Sequence, residues 1–493
     1  MAELAEPVDA RGATVFAAGR LGAWRLTNVR AWPAVRRFVL VLVVLYLAKQ
    51  AIFVVAFRPF SGHDEVAHFA YLRTVATDGQ IPVLLEDRLP DDLFPYCRYA
   101  LDWSDRCLSP DPDTRAAVPR VDTRGRPMGL QYAANHPPLY YIVMTPLYWV
   151  SDGASVVTQQ YLLRIAAIPF GLATVWLAFL LARTLFPGDT FLAMTVPTFV
   201  AFQPQISYEA AMINNDIVCI ALYSWILYLL VTGLRDRFPA CTCLVIGFAL
   251  GLALLAKGTS LTATGIIGLA IVFGVGWRAV REWVWRGALV VAPAAALAAP
   301  WYVHLYRTYG NLDGLDEIEQ IQWWNRPEGG FFDLLFNRGF IVKRFSETWG
   351  EFGWRLVPLD TPLLWAIAIP LILAFGGLVQ YALTANRVSP DTDDDPVLRP
   401  VRWQLLGLAV LAATCVIAYL AVVQFGTRFV LTQARYFFPA VNAAALLTML
   451  GLRTLIPRRY HPHGQAAVVG GLVLLNVLIF TQYVIPQYLD PKL

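Results

Sequence analysis

Charged residues are scarce in this sequence. Asp, Glu, Lys and Arg make up 15% of the 493 residues, whereas hydrophobic residues make up 57%, and the mean hydropathy is +0.52. Soluble globular domains carry about 25% charged residues, so this composition excludes a soluble multidomain protein. The net charge of +4 is small for the length, which argues against a polyanionic partner such as nucleic acid. We therefore predict an all-α polytopic membrane protein.

Cysteine is also rare, with six residues. We expect small, buried, apolar side chains at the four cysteines in or beside apolar segments, namely Cys219, Cys241, Cys243 and Cys415. Cys97 and Cys107 lie close together in a polar segment. They would form a disulfide if this segment faces an oxidising compartment. A disulfide between Cys97 and Cys107 and two free thiols at these positions both stay open as alternatives.

Long apolar runs dominate the rest of the chain. A bilayer core of about 30 Å requires roughly 20 apolar residues in a helix, and no internal repeat or cleavable signal sequence accompanies these runs. The first run is therefore expected to be an uncleaved anchor. About eleven transmembrane helices are predicted, at 38–57, 165–186, 190–206, 216–233, 240–256, 260–277, 287–305, 362–383, 403–423, 436–452 and 466–486.

The distribution of arginine predicts the orientation of these helices. Arg and Lys concentrate in short loops on the cytoplasmic side of membrane proteins, and the arginines fit this rule when the N-terminus is inside and the C-terminus outside. The predicted parts are a cytoplasmic tail 1–37, a membrane domain 38–486 and an outer tail 487–493. Two large outer loops, 58–164 and 306–361, interrupt the membrane domain.

One apolar stretch, "LYYIVMTPLYWV" at 139–150, is too short to cross a membrane. Twelve residues extend about 18 Å as a helix. Counting it as a span would also place the later arginines outside. We therefore expect an interfacial helix in the first outer loop, with its Tyr and Trp at the membrane surface.

The sequence "GHDEVAH" follows the first predicted span and carries two acids and two histidines. His63 and His68 are five residues apart, about 140° around a helix, so they do not share one face as in zinc proteases. A metal site formed by Asp64, Glu65 and His68 stays open as an alternative. The structural alternative is that one of the two acids caps the first turn of a helix. Two ionisable side chains together at the membrane surface favour a functional role for the pair instead.

Other polar residues are predicted near the same outer surface. His136 precedes two prolines in "NHPPLYY", and Asn215 and Asp216 begin a predicted span. An interfacial turn and a helix N-cap are the structural alternatives for these motifs.

Two cations also lie on this side, against the charge preference of the outer loops. Lys257 ends one apolar run in "LLAKGTSL", and Arg435 begins another in "TQARYFFPA". Their side chains could extend to the interface. On the side that carries the acids, the two cations favour a phosphate-binding site instead.

The ordered set of motifs resembles the GT-C superfamily of membrane glycosyltransferases. The motifs are "HDEVAHFAYLRTVATDGQIP", the "HPPL" stretch before a short aromatic helix, "RIAAIPFGLATVWLAFLLARTLF", "LAKGTSL" and "ARYFFPA". Protein O-mannosyltransferases and lipid A aminoarabinose transferases are members of this superfamily. The segment "SETWGEFGWRLVPLDTP", with Trp349 and Trp354, looks like the second outer loop of one uncharacterised bacterial branch. The chain lacks the large additional domain of the O-mannosyltransferases and the C-terminal sugar-binding domain of arabinosyltransferases.

The resemblance implies a glycosyltransferase of the bacterial plasma membrane. Such an enzyme moves a sugar from a polyprenyl-phosphate carrier to a glycan, lipid or protein hydroxyl on the outer face. We expect the transfer to invert the configuration at the anomeric carbon. By position, it implies Asp64 as general base with Glu65 as its helper, Lys257 and Arg435 as phosphate ligands, and His136 in the sugar or acceptor pocket. His68, Asn215 and Asp216 are further substrate-binding candidates. Lys and Arg can replace the divalent ion that nucleotide-sugar enzymes usually need, so no cofactor is assigned, and a divalent metal ion stays open as an alternative.

A transporter or flippase of a lipid-linked saccharide is the main alternative function. It would more naturally place ionisable residues at mid-membrane depth and repeat its broken helices in two halves. The acidic stretch "DTDDD" at 391–395 matches the Asp-x-Asp metal motif of nucleotide-sugar enzymes, but it lies in a short loop flanked by proline. We expect a solvated linker there.

Overall fold

The structure is a computed structural model. It describes residues 33–93, 129–322, 326–355, 357–385, 395–430 and 432–489. The predicted Cys97–Cys107 disulfide and most of both predicted tails lie outside these ranges.

The described chain is almost entirely helical. The first ten helices are α1 Pro33–Ala56, α2 Glu65–Asp78, α3 Leu139–Val150, α4 Val156–Leu185, α5 Thr190–Phe202, α6 Pro204–Glu209, α7 Asp216–Asp236, α8 Ala240–Ala256, α9 Thr262–Val275 and α10 Val280–Tyr309. The remainder are α11 Leu315–Ile321, α12 Phe331–Leu335, α13 Arg338–Trp349, α14 Phe352–Arg355, α15 Thr361–Thr384, α16 Arg402–Gly426, α17 Val441–Leu455, α18 His461–Ile479 and α19 Ile485–Leu489. A two-residue strand, Val357–Pro358, pairs back onto Glu351 and Phe352.

The helices confirm the predicted fold class of an all-α, multi-pass membrane protein. Among the described residues, nine helical segments are long and apolar enough to cross a membrane. Nine of the eleven predicted spans overlap these segments, and among the nine, Gly258–Val275 and Ala434–Leu455 include a short 3-10 turn before α9 and α17. The other two predicted spans coincide with α5 and α8, which have only 13 and 17 residues. The count of eleven transmembrane helices therefore stays a prediction, as does their orientation.

Small residues allow the long helices to pack closely. A Cβ atom at Gly377 of α15 would lie 2.1 Å from the Gly451 carbonyl oxygen of α17, and one at Gly451 would lie 1.9 Å from the Ala374 carbonyl oxygen. Close backbone approach at small residues is the usual way in which helices associate in a membrane. The pair α15 and α17 thus depends on glycine at both positions.

The two outer segments predicted from the sequence contact each other beside the bundle. The Leu84 backbone N–H donates a hydrogen bond to the Tyr309 hydroxyl at 3.0 Å, and Asn135 Nδ2 donates to the Asp313 carbonyl at 2.9 Å. The helix predicted at 139–150 forms with those bounds. Its position at the membrane interface stays a prediction.

A buried ion cluster lies at the end of α17 that is remote from Arg435. Arg453 Nε contacts Asp189 Oδ2 at 2.6 Å, and its Nη2 contacts Asp395 Oδ2 at 2.9 Å. All three residues are at most 9% exposed. The expectation of a solvated linker is therefore wrong for Asp395, because this carboxylate neutralises a buried guanidinium.

The cysteines of the membrane domain follow the sequence expectation only in part. Cys219 and Cys243 are buried, as expected, whereas Cys415 is half-buried and Cys241 is exposed. Cys241 lies in the first turn of α8, where its side chain faces away from the neighbouring helices.

Candidate functional site

The segment between α1 and α2 is fixed by a buried arginine. Arg164 of α4 is fully buried and donates hydrogen bonds to the carbonyl oxygens of Val54 (3.1 Å), Phe57 (2.8 Å) and Arg58 (2.9 Å). The last carbonyls of a helix lack partners within it. Arg164 therefore closes the end of α1 and sets the direction in which the chain leaves the bundle.

Glu65 is the carboxylate partner of this arginine. Its two oxygens accept hydrogen bonds from Arg164 Nε at 2.8 Å and Nη2 at 2.7 Å, a bidentate pair. They also accept from the backbone N–H groups of Gly62 at 3.0 Å and Ile213 at 3.1 Å. With both oxygens in use and no exposed surface, Glu65 orients the segment that carries Asp64. Its predicted role as a catalytic helper stays a prediction.

Asp64 differs from its neighbour in exposure and in backbone conformation. Its φ of 55° lies in the left-handed region, which is unusual for a residue other than glycine. Its side chain makes no capping hydrogen bond with α2, so the capping interpretation is wrong for Asp64. Its carboxylate is 19% exposed and contacts Arg435 instead.

Arg435 joins Asp64 to a second acid and a second cation. Arg435 Nη1 lies 3.4 Å from Asp216 Oδ2, and Lys257 Nζ lies 2.5 Å from Asp216 Oδ1. Both cations are only 5% exposed, so the interpretation that they extend to the interface is wrong. We call Asp64, Asp216, Lys257 and Arg435 the charge network; its four formal charges cancel.

Short local contacts place the members of the charge network. Asn215 Nδ2 donates a hydrogen bond to the Ala256 carbonyl at 2.9 Å and so holds the end of α8 immediately before Lys257. The N-terminus of α7 is capped by Asn214, whose Oδ1 accepts from the Ile217 N–H at 3.1 Å. The Tyr436 ring lies 5.2 Å from Lys257 Nζ and 5.7 Å from Arg435 Cζ, within the range of a cation–π contact.

The two predicted histidines lie together beside the charge network. The rings of His68 and His136 stack with centroids 5.4 Å apart, and His68 Nδ1 is 2.8 Å from the Tyr141 hydroxyl. Burial, and then the nearby Lys257 and Arg435 charges, lower the pKa of His68 to about 3. Burial and the neighbouring His68 also lower the pKa of His136 well below its usual value. Both rings are therefore neutral near pH 7 and contribute polar atoms without adding positive charge.

The open alternative of a metal at Asp64, Glu65 and His68 gains no support from these contacts. The three side chains point to three different partners, namely Arg435, Arg164 and Tyr141. Within the described ranges, no group of three His, Cys, Asp or Glu side chains is arranged to hold a metal ion.

Several polar residues at this end of the bundle were given no role by the sequence motifs. His63 Nδ1 lies 3.0 Å from Glu209 Oε1, with both side chains buried. In the second outer segment, Arg355 Nη2 contacts Glu347 Oε1 at 3.0 Å, and Glu347 Oε2 accepts a hydrogen bond from the Ala434 N–H at 3.0 Å. The second outer segment is thereby attached to the residue that precedes Arg435. Its acids were visible in "SETWGE", but no sequence pattern pairs them with residues about 90 positions later.

Glu351 is the one acid of this segment with a strongly altered pKa. Burial, and then the adjacent Glu347 carboxylate, raise the pKa of Glu351 to about 7. Two close carboxylates share a proton because like charges disfavour ionisation of both. The pair therefore changes its charge near neutral pH.

Some solved structures are similar to this chain at low sequence identity. No family model matches the sequence, and no relative was found among curated proteins. Among solved structures, ArnT from Cupriavidus metallidurans bound to undecaprenyl phosphate is similar at 16% identity and a TM-score of 0.45, over 91% of this chain and 73% of that one. The oligosaccharyltransferase AglB from Archaeoglobus fulgidus, in complex with an inhibitory peptide and a dolichol-phosphate, is similar at 13% identity and a TM-score of 0.40, over 90% of this chain and 55% of that one.

Proposed function

We propose that this protein is a membrane glycosyltransferase that moves a sugar from a polyprenyl-phosphate carrier to an acceptor hydroxyl. The observation that carries the proposal is the charge network, in which a partly exposed carboxylate, Asp64, lies against two buried cations at one end of the bundle. A base and a phosphate site in direct contact are the two parts that this reaction requires. The similar ArnT structure contains undecaprenyl phosphate, the type of carrier proposed here.

Lys257 and Arg435 provide the positive charge for the carrier phosphate. A phosphodiester carries one negative charge while it holds the sugar, and a further charge develops on it as the sugar leaves. Buried cations stabilise such developing charge more strongly than exposed ones, because the local dielectric is low. Asp216 holds Lys257 and Arg435 close together before the carrier arrives.

Asp64 acts as the general base in this proposal. It is ion-paired with Arg435 in the absence of substrate, and a carrier phosphate that binds Arg435 competes with it for the guanidinium. Carrier binding thereby releases the carboxylate to accept the proton of the attacking hydroxyl. The hydroxyl oxygen bonds to the anomeric carbon as the bond from that carbon to the phosphate oxygen breaks, and a single displacement inverts the configuration.

The neighbouring polar residues line the substrate path. His68 and His136 are neutral and lie beside the cations, where their ring nitrogens suit hydroxyl groups of the sugar or acceptor. Asn215 positions Lys257 through the end of α8. The orientation predicted from the arginines places this site at the outer face of the bacterial plasma membrane.

The direct test is to incubate membranes that contain the protein with radiolabelled polyprenyl-phosphate sugars and to identify the labelled product. We expect labelled glycan, lipid or protein together with free polyprenyl phosphate. Movement of intact labelled carrier between leaflets, without a labelled product, would support the flippase alternative and contradict the proposal.

A further inference from the structure

A small cavity adjoins the charge network. Its wall is formed by His63, Gln205, Glu347, Glu351, Arg355, Gln433, Ala434 and Arg435. The cavity has room for little more than one water-sized group. It is therefore suited to a single polar group of a larger molecule.

Several buried side-chain atoms of the cavity-lining residues make no hydrogen bond to the described residues, and Gln433 Oε1 and Arg435 Nε are among them. Gln433 Oε1 accepts no hydrogen bond and Arg435 Nε donates none within the described part of the chain. Gln433 is 8% exposed and Arg435 is 5% exposed. Buried polar atoms without a partner are uncommon and call for a missing ligand or water. An acceptor atom, Gln433 Oε1, and a donor atom, Arg435 Nε, are thus both available on the same wall, beside carboxylate oxygens of Glu347 and Glu351 that also make no hydrogen bond in the described ranges.

The chemistry of the wall identifies the kind of group that fits. A hydroxyl donates one hydrogen bond and accepts others, so it can serve Gln433 Oε1 and Arg435 Nε together. Arg355 of the wall is already paired with Glu347 at 3.0 Å. The carboxylates of Glu347 and Glu351 therefore leave no excess positive charge in the wall for a second anion such as another phosphate. They also accept hydrogen bonds readily. His63 is held in the wall by Glu209.

We propose that this cavity binds one hydroxyl group of a carbohydrate, while the guanidinium of Arg435 also contacts the carrier phosphate. The proposal rests on the proposed function, because it assumes that a lipid-linked sugar reaches Arg435. The hydroxyl belongs either to the sugar of the donor or to a carbohydrate acceptor. Arg435 then links phosphate binding to sugar recognition through different nitrogen atoms of one side chain.

The test compares carriers with and without a sugar. Binding of undecaprenyl phosphate and of a panel of undecaprenyl-phosphate-linked hexoses and pentoses is measured by native mass spectrometry for wild type, Gln433→Met and Gln424→Met. Gln424 is exposed on α16 and serves as the matched control. Wild type and Gln424→Met are expected to bind at least one sugar-linked carrier about 5- to 10-fold more tightly than the bare carrier, the effect of one neutral hydrogen bond. Gln433→Met is expected to lose this difference while it binds the bare carrier normally.

The outcomes separate this inference from the proposed function. If Gln433→Met leaves carrier binding intact but raises the acceptor KM about 5- to 10-fold in the transfer reaction, the hydroxyl is that of the acceptor. If neither quantity changes in a variant that keeps the wild-type unfolding temperature, the cavity holds water only and the inference is overturned. Failure of the wild-type protein to bind any carrier contradicts the proposed function itself.

Discussion

At the scale of single residues, Glu65 and Arg164 form a buried pair whose members depend on each other. Removing one partner of a buried ion pair leaves an uncompensated charge and costs about 3–5 kcal/mol. We expect Glu65→Gln to lower the unfolding free energy by about that amount, as measured by thermal or denaturant unfolding in detergent. The double variant Glu65→Leu, Arg164→Met is expected to cost less than either single change. A stable Glu65→Gln protein that has lost sugar transfer would instead assign Glu65 to the chemistry.

Lys257 is the residue whose charge should matter most for carrier binding. We expect Lys257→Ala to weaken binding of undecaprenyl phosphate about 10-fold or more, because one buried cation of the phosphate site is removed. Lys257→Arg retains the charge and is expected to restore most of the affinity. Lys343, whose side chain is 40% exposed, provides the control Lys343→Ala. Unchanged affinity in Lys257→Ala would remove Lys257 from the phosphate site.

At the scale of elements, α13 and the short turn between α13 and α14 carry an acid pair, Glu347 and Glu351, that responds to pH. The pKa of Glu351 is about 7, against an ordinary value of 4.5, so the folded protein holds this proton more tightly than the unfolded chain. The protonated Glu351 carboxyl therefore contributes to the unfolding free energy fully below about pH 4.5, and this contribution is lost as the pH rises through 7. We expect the unfolding free energy of the wild type to fall by about 1–2 kcal/mol between pH 5.5 and 8.5. In Glu351→Gln, which cannot lose this proton, the fall should be absent. Glu86→Gln, at an exposed position, is the control and should show the same pH-dependent fall as the wild type.

The sequence predicted the helices more completely than it predicted the contacts of the candidate site. Apolar length located every long helix, because a span requires the same local composition wherever it packs. The charge rule placed Lys257 and Arg435 on the side of Asp64, and the structure brings these residues together with Asp216. The pair of Glu65 and Arg164 joins positions 99 residues apart. No local pattern encodes that pairing, since only tertiary packing creates it.

At the scale of the whole molecule, one helical segment links two charged centres. The segment Ala434–Leu455 carries Arg435 near its start and Arg453 near its end, about 27 Å apart at helical rise. We expect Asp395→Asn to lower the unfolding temperature by several degrees, because Arg453 loses a buried partner. Carrier affinity should stay within twofold, since distant sites are usually independent. A large change in affinity would show that the two centres are coupled.

The most direct test of the central claim separates carrier binding from sugar transfer at Asp64. Purified wild type, Asp64→Asn and the control Asp78→Asn, at the exposed end of α2, are compared in lipid nanodiscs. The measured quantities are undecaprenyl-phosphate affinity and the transfer rate from the sugar-linked carrier. Asp64→Asn is expected to bind the carrier at least as well as wild type, because phosphate no longer competes with a carboxylate for Arg435. It is expected to transfer sugar about 10²- to 10⁴-fold more slowly, the usual contribution of a general base. Transfer at the wild-type rate by folded Asp64→Asn protein would contradict the account.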